Sequence, residues 1–379
     1  MKKTIIIPNI FSEDKGLHIG IILACIKVFI SVSEIFSGLA FLDTFLSVAA
    51  ALAFIMCIAV DRYPVRTLIV YAALLFLSLI TSINIGNLGI WLTVLTCLAV
   101  RTRNFDKAIQ CIFLCEFFLG LASVIISLFL LVAGNDSGFI YIQGVRRFSF
   151  GFNHPNTFSI YLFNLVLMWI WLNFEQISTG NILILILIEA AGYIGARTKT
   201  AAINMIVIFV FLVWGIRRPK TVDIMTAFAK YITPVCAIFT FVTTFFYTSG
   251  NQIINYIDNF LTHRIRLGAY ILNYFGITWL GQEISDRTVI WDPVWRLDSF
   301  TFDNIYTYFI SNIGIVWLLA VCVLFYKLAA KRSVKISICI IAWALYGITE
   351  VHGINIYLLF PLLLSVLLFN KTNSFHARD

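Results

Sequence analysis

Long apolar blocks separated by short polar segments make up most of this chain of 379 residues. The apolar residues run continuously through each block and do not alternate with polar ones, which favours helices over the strands of a membrane barrel. A helix needs about 20 apolar residues to cross the hydrocarbon core of a bilayer, and most of the blocks approach that length. The pattern therefore predicts an all-α, polytopic integral membrane protein.

The blocks predict about twelve transmembrane helices within a single membrane domain that covers residues 1–379. They lie at roughly 17–34, 40–60, 68–83, 88–100, 108–133, 158–174, 181–196, 201–216, 228–247, 304–327, 336–350 and 354–369.

Two long polar segments separate these spans, a first loop at 134–157 and a large loop at 248–303. Loops as long as the second are uncommon in compact proteins and usually carry function. The large loop begins with Ile254, Ile257, Leu261 and Ile265 at helical spacing. This spacing predicts a helix that lies in the membrane interface.

Composition supports the membrane assignment. Hydrophobic residues make up 60% of the chain and charged residues 12%, with a mean hydropathy of +0.93, whereas soluble domains carry about 25% charged residues. The eight cysteines all fall inside apolar blocks. They predict neither a disulfide framework nor a metal site.

The basic residues orient the chain. If both termini are cytoplasmic and the chain crosses twelve times, 18 Lys and Arg residues lie on the cytoplasmic side and 8 on the outer side. Such a bias is typical of cytoplasmic loops. It also accounts for the net charge of +8 without any nucleic-acid partner.

The outer cations differ in kind from the cytoplasmic ones, which mix lysine and arginine. The outer set contains a single lysine among arginines: Arg146, Arg147, Arg197, Lys199, Arg264, Arg266, Arg287 and Arg296. A guanidinium offers a rigid fork of donors to a phosphate or carboxylate, whereas an ammonium is a hydrated point charge. The imbalance therefore indicates recognition of an oxyanion on the outer face.

Further polar side chains fall on the same predicted face. They are Asn153 and His154 in the first loop, Asp303 and Asn304 at the end of the large loop, and Glu350 and His352 between the last two spans. Simpler interpretations remain open for several of them. Asp303 and Asn304 are suited to cap a helix, Arg197 to anchor at the interface, and His154 to lie in a solvated loop.

Together these residues suit a lipid-linked diphosphate at the outer leaflet. The lipid tail would lie among the spans, and the arginines would stabilise the leaving diphosphate. A general base would take the proton of an attacking hydroxyl, and the candidates are His154, Glu350 and His352, of which His154 is the first choice. No magnesium-binding acidic motif or glycine-rich phosphate loop is found in the sequence, so we predict a site without a metal or other cofactor.

Four segments resemble the Wzy-type polymerases of bacterial capsular polysaccharide, exopolysaccharide and O-antigen. RRFSFGFNHPNTF (146–158) resembles their R-x-SFGF-x-HPN signature, and GARTKTAAINM (195–205) resembles a small-x-R-T/S segment. LTHRIRLGAYIL (261–272) resembles the arginine-bearing start of their large outer loop, and DNIYTYFISNIGIVWLL (303–319) resembles the segment that closes it. The resemblance covers about residues 144–325, in matching order and spacing.

The resemblance implies an inverting, metal-independent glycosyltransferase in the bacterial cytoplasmic membrane. Its substrate would be an oligosaccharide linked to undecaprenyl diphosphate, and the growing glycan would be transferred onto a carrier-linked repeat unit. Besides the lipid bilayer, the implied partners are a flippase and a chain-length regulator.

Position by position, the resemblance assigns substrate binding to a set of matched residues. These are Arg147 with its neighbour Arg146, Asn153, Arg197, Arg264 or Arg266, Asp303, Asn304 and Tyr306. The catalytic candidate His154 lies in the first signature. The chain departs from the family where two arginines compete for one loop position. It also carries Gly268 and Ala269 where an aromatic residue is usual.

Two other functions fit the same pattern. An enzyme like the O-antigen ligases would use the same donor site and a different acceptor. A transporter of lipid-linked oligosaccharide would place ionisable residues in the middle of the membrane, where Lys27, Asp43, Glu116 and Glu189 are predicted to lie.

Overall fold

The structure is a computed structural model. It describes residues 13–61, 63–136, 138–142, 144–217, 221–248, 250–284, 295 and 301–369. The predicted outer cations Arg287 and Arg296 and both chain termini lie outside these residues.

Helices dominate the described residues. In chain order they are α1 (Glu13–Val32), α2 (Asp43–Val60), α3 (Val65–Asn84), α4 (Gly89–Val100), α5 (Phe105–Val132), α6 (Pro155–Asn173), α7 (Thr179–Ala196), α8 (Lys199–Arg217), α9 (Val222–Phe245), α10 (Gln252–Phe260), α11 (Arg264–Phe275), α12 (Ile305–Tyr308), α13 (Ile315–Ala329) and α14 (Val334–Tyr346).

Eight helices in the described part of the chain are long and apolar enough to cross a membrane. They are α1, α2 with the 3₁₀ turn before it, α3, and α5 to α9, and each coincides with a predicted span. The protein is therefore helical and membrane-embedded, as the hydropathy pattern predicted. The full count of twelve spans stays a prediction, because α4, α13 and α14 are shorter apolar helices.

The predicted span 304–327 is interrupted. A π-helical turn at Phe309–Ile313 follows α12, and Gly314, with φ of +119°, precedes α13. A side chain at Gly314 would collide with the backbone carbonyl of Trp279 in the large loop. The break therefore brings part of the large loop against the helix bundle.

The last predicted span, 354–369, is not an α-helix. It consists of 3₁₀ helices at His352–Ile354 and Phe360–Leu368. Leu359 is extended, with φ of −153°, and Pro361 has no amide hydrogen to donate, so an α-helix cannot run through this point. The amide of Phe360 donates instead to the Asn164 side chain at 2.9 Å.

One large hydrophobic core joins α1, α2, α4, α5, α6, α8, α9, α13, α14 and the final 3₁₀ segment. The helices α3 and α7 lie at its periphery, because most of their apolar side chains are exposed. In a membrane-embedded protein these faces contact lipid.

The first loop contains a β-hairpin that the sequence analysis did not predict. Strands β1 (Phe139–Ile142) and β2 (Val145–Phe148) pair antiparallel, with Ile140 opposite Arg147 and Tyr141 opposite Arg146. Because side chains alternate along a strand, the two arginines point to opposite faces of the hairpin.

The single interfacial helix predicted at the start of the large loop is two helices, α10 and α11. The helical conformation is interrupted between them, where Thr262 and His263 adopt left-handed conformations, with φ of 55° and 66°. The apolar spacing continues through the break, and this is why the sequence pattern suggested one helix. The helix α10 still exposes Ile253, Tyr256 and Phe260, as an interfacial helix would.

Candidate functional site

The two arginines of the first loop have different surroundings. Arg146 is exposed, forms an ion pair with Asp136 at 2.7 Å and lies 3.6 Å from the ring centre of Phe139. Arg147 is partly buried, and its Nε has no hydrogen-bond partner among the described residues. Among the described residues, Asp136 and Phe139 thus engage the guanidinium of Arg146, whereas Nε of Arg147 has no partner.

The turn after β2 is fixed by backbone and aromatic contacts. Phe150 has φ of 54°, and its ring stacks on Phe158 of α6 at 4.2 Å. The carbonyl of Gly151 accepts hydrogen bonds from the amide of Glu34 and the hydroxyl of Ser33. These contacts hold the beginning of α6 in a defined position.

Gly151→Ala is expected to destabilise the protein by roughly 2 kcal/mol or more, because φ at Gly151 is +85° and a methyl group would overlap the Ser123 hydroxyl and Ile35. The matched control is Gly144→Ala, which has φ of +75° but nothing within 4 Å of the added atom. Thermal unfolding in detergent should show the larger loss for Gly151→Ala. Equal losses would show that the turn is not tightly packed.

His154 begins α6 as its N-cap residue, and Pro155 occupies the first helical position, which its fixed φ suits. The Nδ1 atom of His154 accepts a hydrogen bond from the backbone amide of Asn156 at 3.1 Å. Burial lowers the pKa of His154; Glu350 opposes this shift, whereas Arg147 and His352 reinforce it. His154 therefore lies within electrostatic reach of residues from two other segments, the hairpin and the turn after α14.

Glu350 is the centre of the cluster. Its side chain is 5% exposed, and its Oε1 accepts from the Asn156 amide at 3.1 Å and from Arg264 at 3.4 Å. Its Oε2 lies 3.6 Å from Nδ1 of His352. A buried carboxylate is stable only when it is paired, so Asn156 and Arg264 account for its position in an otherwise apolar bundle.

Arg264 lies in the large loop, and a neighbouring residue of that loop holds its side chain. Its NH1 donates to the Thr262 hydroxyl at 2.7 Å, while its Nε has no partner among the described residues. The buried carboxylate of Asp258 accepts from the backbone amide of Arg266 at 2.9 Å and thereby caps the start of α11. Of the two competing loop arginines, Arg264 is the one that contacts Glu350.

Asp303 lies beside this cluster. Burial raises its pKa to about 6, although Arg264 favours the charged form; Glu350 raises the pKa further and His352 lowers it. A carboxyl group with a pKa near 6 changes charge close to neutral pH. Asp303 is therefore a further candidate for proton transfer, beyond the binding role that the resemblance gives it.

Asp303→Asn is expected to raise the apparent Tm by a few degrees above about pH 6 and to leave it unchanged near pH 4. A raised pKa means that the carboxyl group stabilises the fold most when it is protonated, and this contribution is lost as the pH rises through about 6. Thermal unfolding of both proteins across this range tests the expectation. A difference that does not vary with pH would contradict it.

Asn304 and Tyr306 make structural contacts. Asn304 caps α12 by accepting from the amides of Tyr306 and Thr307, and its own amide donates to the carbonyl of Ile348 at 2.8 Å. Tyr306 is fully buried, and its hydroxyl donates to the carbonyl of Ala344 at 2.8 Å. These contacts match the helix-capping interpretation and place the Tyr306 side chain in the core.

Two predicted site residues are not joined to the cluster by any contact among the described residues. Arg197 ends α7 in a left-handed conformation, with φ of 51°, and is exposed. Asn153 is exposed, and its backbone amide donates to the carbonyl of Val32. Their binding roles stay predictions.

Sequence reasoning missed Asn156. It follows His154 and Pro155 in the quoted signature. Its backbone amide donates to Nδ1 of His154 at the start of α6, and its side-chain amide donates to Glu350. A polar side chain in the first turn of a helix, two residues after a candidate catalytic histidine, was the signal available in the sequence.

In the described residues no group of three or more His, Cys, Asp and Glu side chains is placed to hold a metal ion, and the prediction of a cofactor-free site stays a prediction. Comparison of the chain with protein families, with curated proteins and with solved structures finds no match.

Proposed function

We propose that this protein is a glycosyltransferase that polymerises lipid-linked oligosaccharide repeat units at the outer face of the bacterial cytoplasmic membrane. The substrate would be a glycan on undecaprenyl diphosphate, and the acceptor would be a second carrier-linked repeat unit. The proposal extends the resemblance in the sequence and includes cytoplasmic chain termini.

The observation that carries the proposal is the cluster around Glu350. The first loop contributes Arg147 and His154, the large loop contributes Arg264, and the turn after α14 contributes Glu350 and His352. Guanidinium groups from two loops, beside an imidazole and carboxyl groups, suit an anionic leaving group and a hydroxyl nucleophile.

A groove between α7 and α8 offers a place for a lipid tail. Its volume is about 1090 Å³, and aliphatic and aromatic side chains form most of its wall. Lys199 lies at the end near the turn between the two helices, where Thr198 and Ser159 of α6 are hydrogen-bonded. The turn of α6 that His154 caps is therefore tied to this end of the groove.

In the proposed reaction, the oxygen of the acceptor hydroxyl attacks the anomeric carbon, and the bond from that carbon to the diphosphate oxygen breaks. The hydroxyl proton passes to a base of the site, and the lipid diphosphate leaves as an anion. His352 suits the base role best, because its Nδ1 faces the Glu350 carboxylate and its Nε2 can then keep a free lone pair.

The test is an assay of purified protein with a synthetic lipid-linked repeat unit. A ladder of products that differ by one repeat would support the proposal. Transfer to an added lipid or protein acceptor, without a ladder, would identify a ligase. Movement of the substrate across the bilayer of proteoliposomes, without any transfer, would identify a transporter.

Polymerisation is favoured over transport by the partners of the intramembrane ionisable residues. Lys27 and Asp43 form an ion pair at 3.2 Å, and Glu116 accepts from the Asn164 amide at 3.0 Å. Among the described residues, Oε1 of Glu116 and Oε1 of Glu189 are buried without a hydrogen-bond partner. Three of the four residues, Lys27, Asp43 and Glu116, thus make at least one contact between helices.

A further inference from the structure

The cap of α6 fixes where His154 carries its proton. The amide of Asn156 is a donor in every protonation state of the protein, so the Nδ1 atom that accepts from it at 3.1 Å must present a lone pair. A neutral imidazole has one N–H, which in this arrangement lies on Nε2. No described residue forms a hydrogen bond with Nε2 of His154, so this N–H is available to a ligand.

Both alternatives to this state are unfavourable. The tautomer with hydrogen on Nδ1 would direct one N–H group at another and would break the cap. The imidazolium ion would do the same, and it would also place a positive charge at the N-terminus of α6, where the helix dipole repels it.

The neighbours of His154 do not reverse this preference. Arg147 on the hairpin and His352 after α14 both oppose a positive charge on the ring, and burial does so more strongly. Glu350 favours a positive charge, but its carboxylate is already bound by Asn156 and Arg264. Among the groups named, His154 therefore keeps the neutral form with its proton on Nε2.

We infer that His154 is a hydrogen-bond donor, through Nε2–H, to an oxygen of the substrate diphosphate and does not act as the general base. The inference rests on the proposed function and assigns this histidine a role that the sequence left open. The donor would stabilise the charge that grows on the diphosphate as the anomeric bond breaks. The hydroxyl proton then passes to another group, with His352 the first candidate.

The tautomer can be measured without any assay of activity. Nitrogen NMR of the protein labelled with ¹⁵N-histidine distinguishes a protonated from a bare ring nitrogen, and the His154→Asn variant assigns the signal among the five histidines. We expect a bare Nδ1 and a protonated Nε2 throughout the range of neutral pH. A proton on Nδ1 would overturn the inference whatever the enzyme does.

Two variants separate the cap from the donor. His154→Asn keeps a side-chain acceptor suited to an N-cap but lacks a donor at the position of Nε2. His154→Gln places an N–H near that position but is a poor cap. We expect His154→Asn to lower kcat about 100-fold and His154→Gln to stay within about tenfold of wild type, despite a lower apparent Tm. A His154→Gln variant as inactive as His154→Asn would contradict the donor role.

The pH dependence distinguishes a donor from a base. The acidic limb of the kcat/KM profile should stay in place in both His154 variants and should be lost in His352→Gln. Loss of this limb in the His154 variants would show that His154 takes the proton.

Failure of the proposed function gives a different result. If wild-type protein makes no product, addition of a short-chain prenyl diphosphate should still shift the Nε2 signal of His154, since the donor needs only the diphosphate. No shift, with the tautomer as expected, would overturn the donor role itself.

Discussion

Arg264→Met is expected to lower the stability of the protein by roughly 3–5 kcal/mol, because it leaves the buried Glu350 carboxylate without its cation. The remaining partners, Asn156 at 3.1 Å and His352 at 3.6 Å, do not replace a guanidinium. Removing Arg264 also takes away the charge that favours ionised Asp303, so the pKa of Asp303 should rise further. The apparent Tm in detergent should therefore fall by roughly 5 °C or more.

The double variant Arg264→Met, Glu350→Gln is the control for this effect. A neutral amide at position 350 needs no cation and can still bond to Asn156, so most of the lost stability should return. Activity should not return, because the guanidinium that we place on the diphosphate is absent. A single Arg264→Met variant as stable as wild type would show that the ion pair is not structural. A fully active double variant would remove Arg264 from the proposed binding site.

The sequence predicted the helices well where hydropathy alone determines them. The helices α1, α5 and α6 begin and end within a few residues of the predicted spans. The helix α9 ends close to its predicted span but starts six residues earlier, at Val222. The helix α6 starts three residues before its predicted span, at Pro155, whose fixed φ suits the first turn of a helix. Hydropathy and a proline in the first turn are local signals, because they lie within the segment that forms the helix.

Local signals did not reveal the breaks or the site. Thr262 and His263 adopt left-handed conformations without being glycine, so nothing in their residue types marks the end of α10. The contact of Arg264 with Glu350 joins residues 86 positions apart and depends on how the large loop packs against the end of α14. The sequence placed both residues on one face of the membrane, but only tertiary packing brings them into contact.

Arg147→Lys is expected to lower kcat/KM for the lipid-linked substrate at least about 100-fold. The guanidinium of Arg147 makes no hydrogen bond with the described residues and lies close enough to His154 to affect its pKa. A lysine keeps the positive charge but loses the planar pair of donors that fits a phosphate. Steady-state kinetics of the purified variant against wild type measures the loss.

Arg146→Lys is the matched control, since it makes the same substitution one residue away on the opposite face of the same strand. Arg146 is exposed and already engaged with Asp136 and Phe139, so the variant should stay within about threefold of wild type. Retained activity in both variants would show that a positive charge alone suffices. It would contradict the proposal that the paired donors of the Arg147 guanidinium bind the diphosphate. Equal losses in both would place the effect in the hairpin as a whole. Only a loss confined to Arg147→Lys assigns diphosphate binding to its guanidinium, because the two variants share strand, charge and side-chain chemistry and differ in the face that they present.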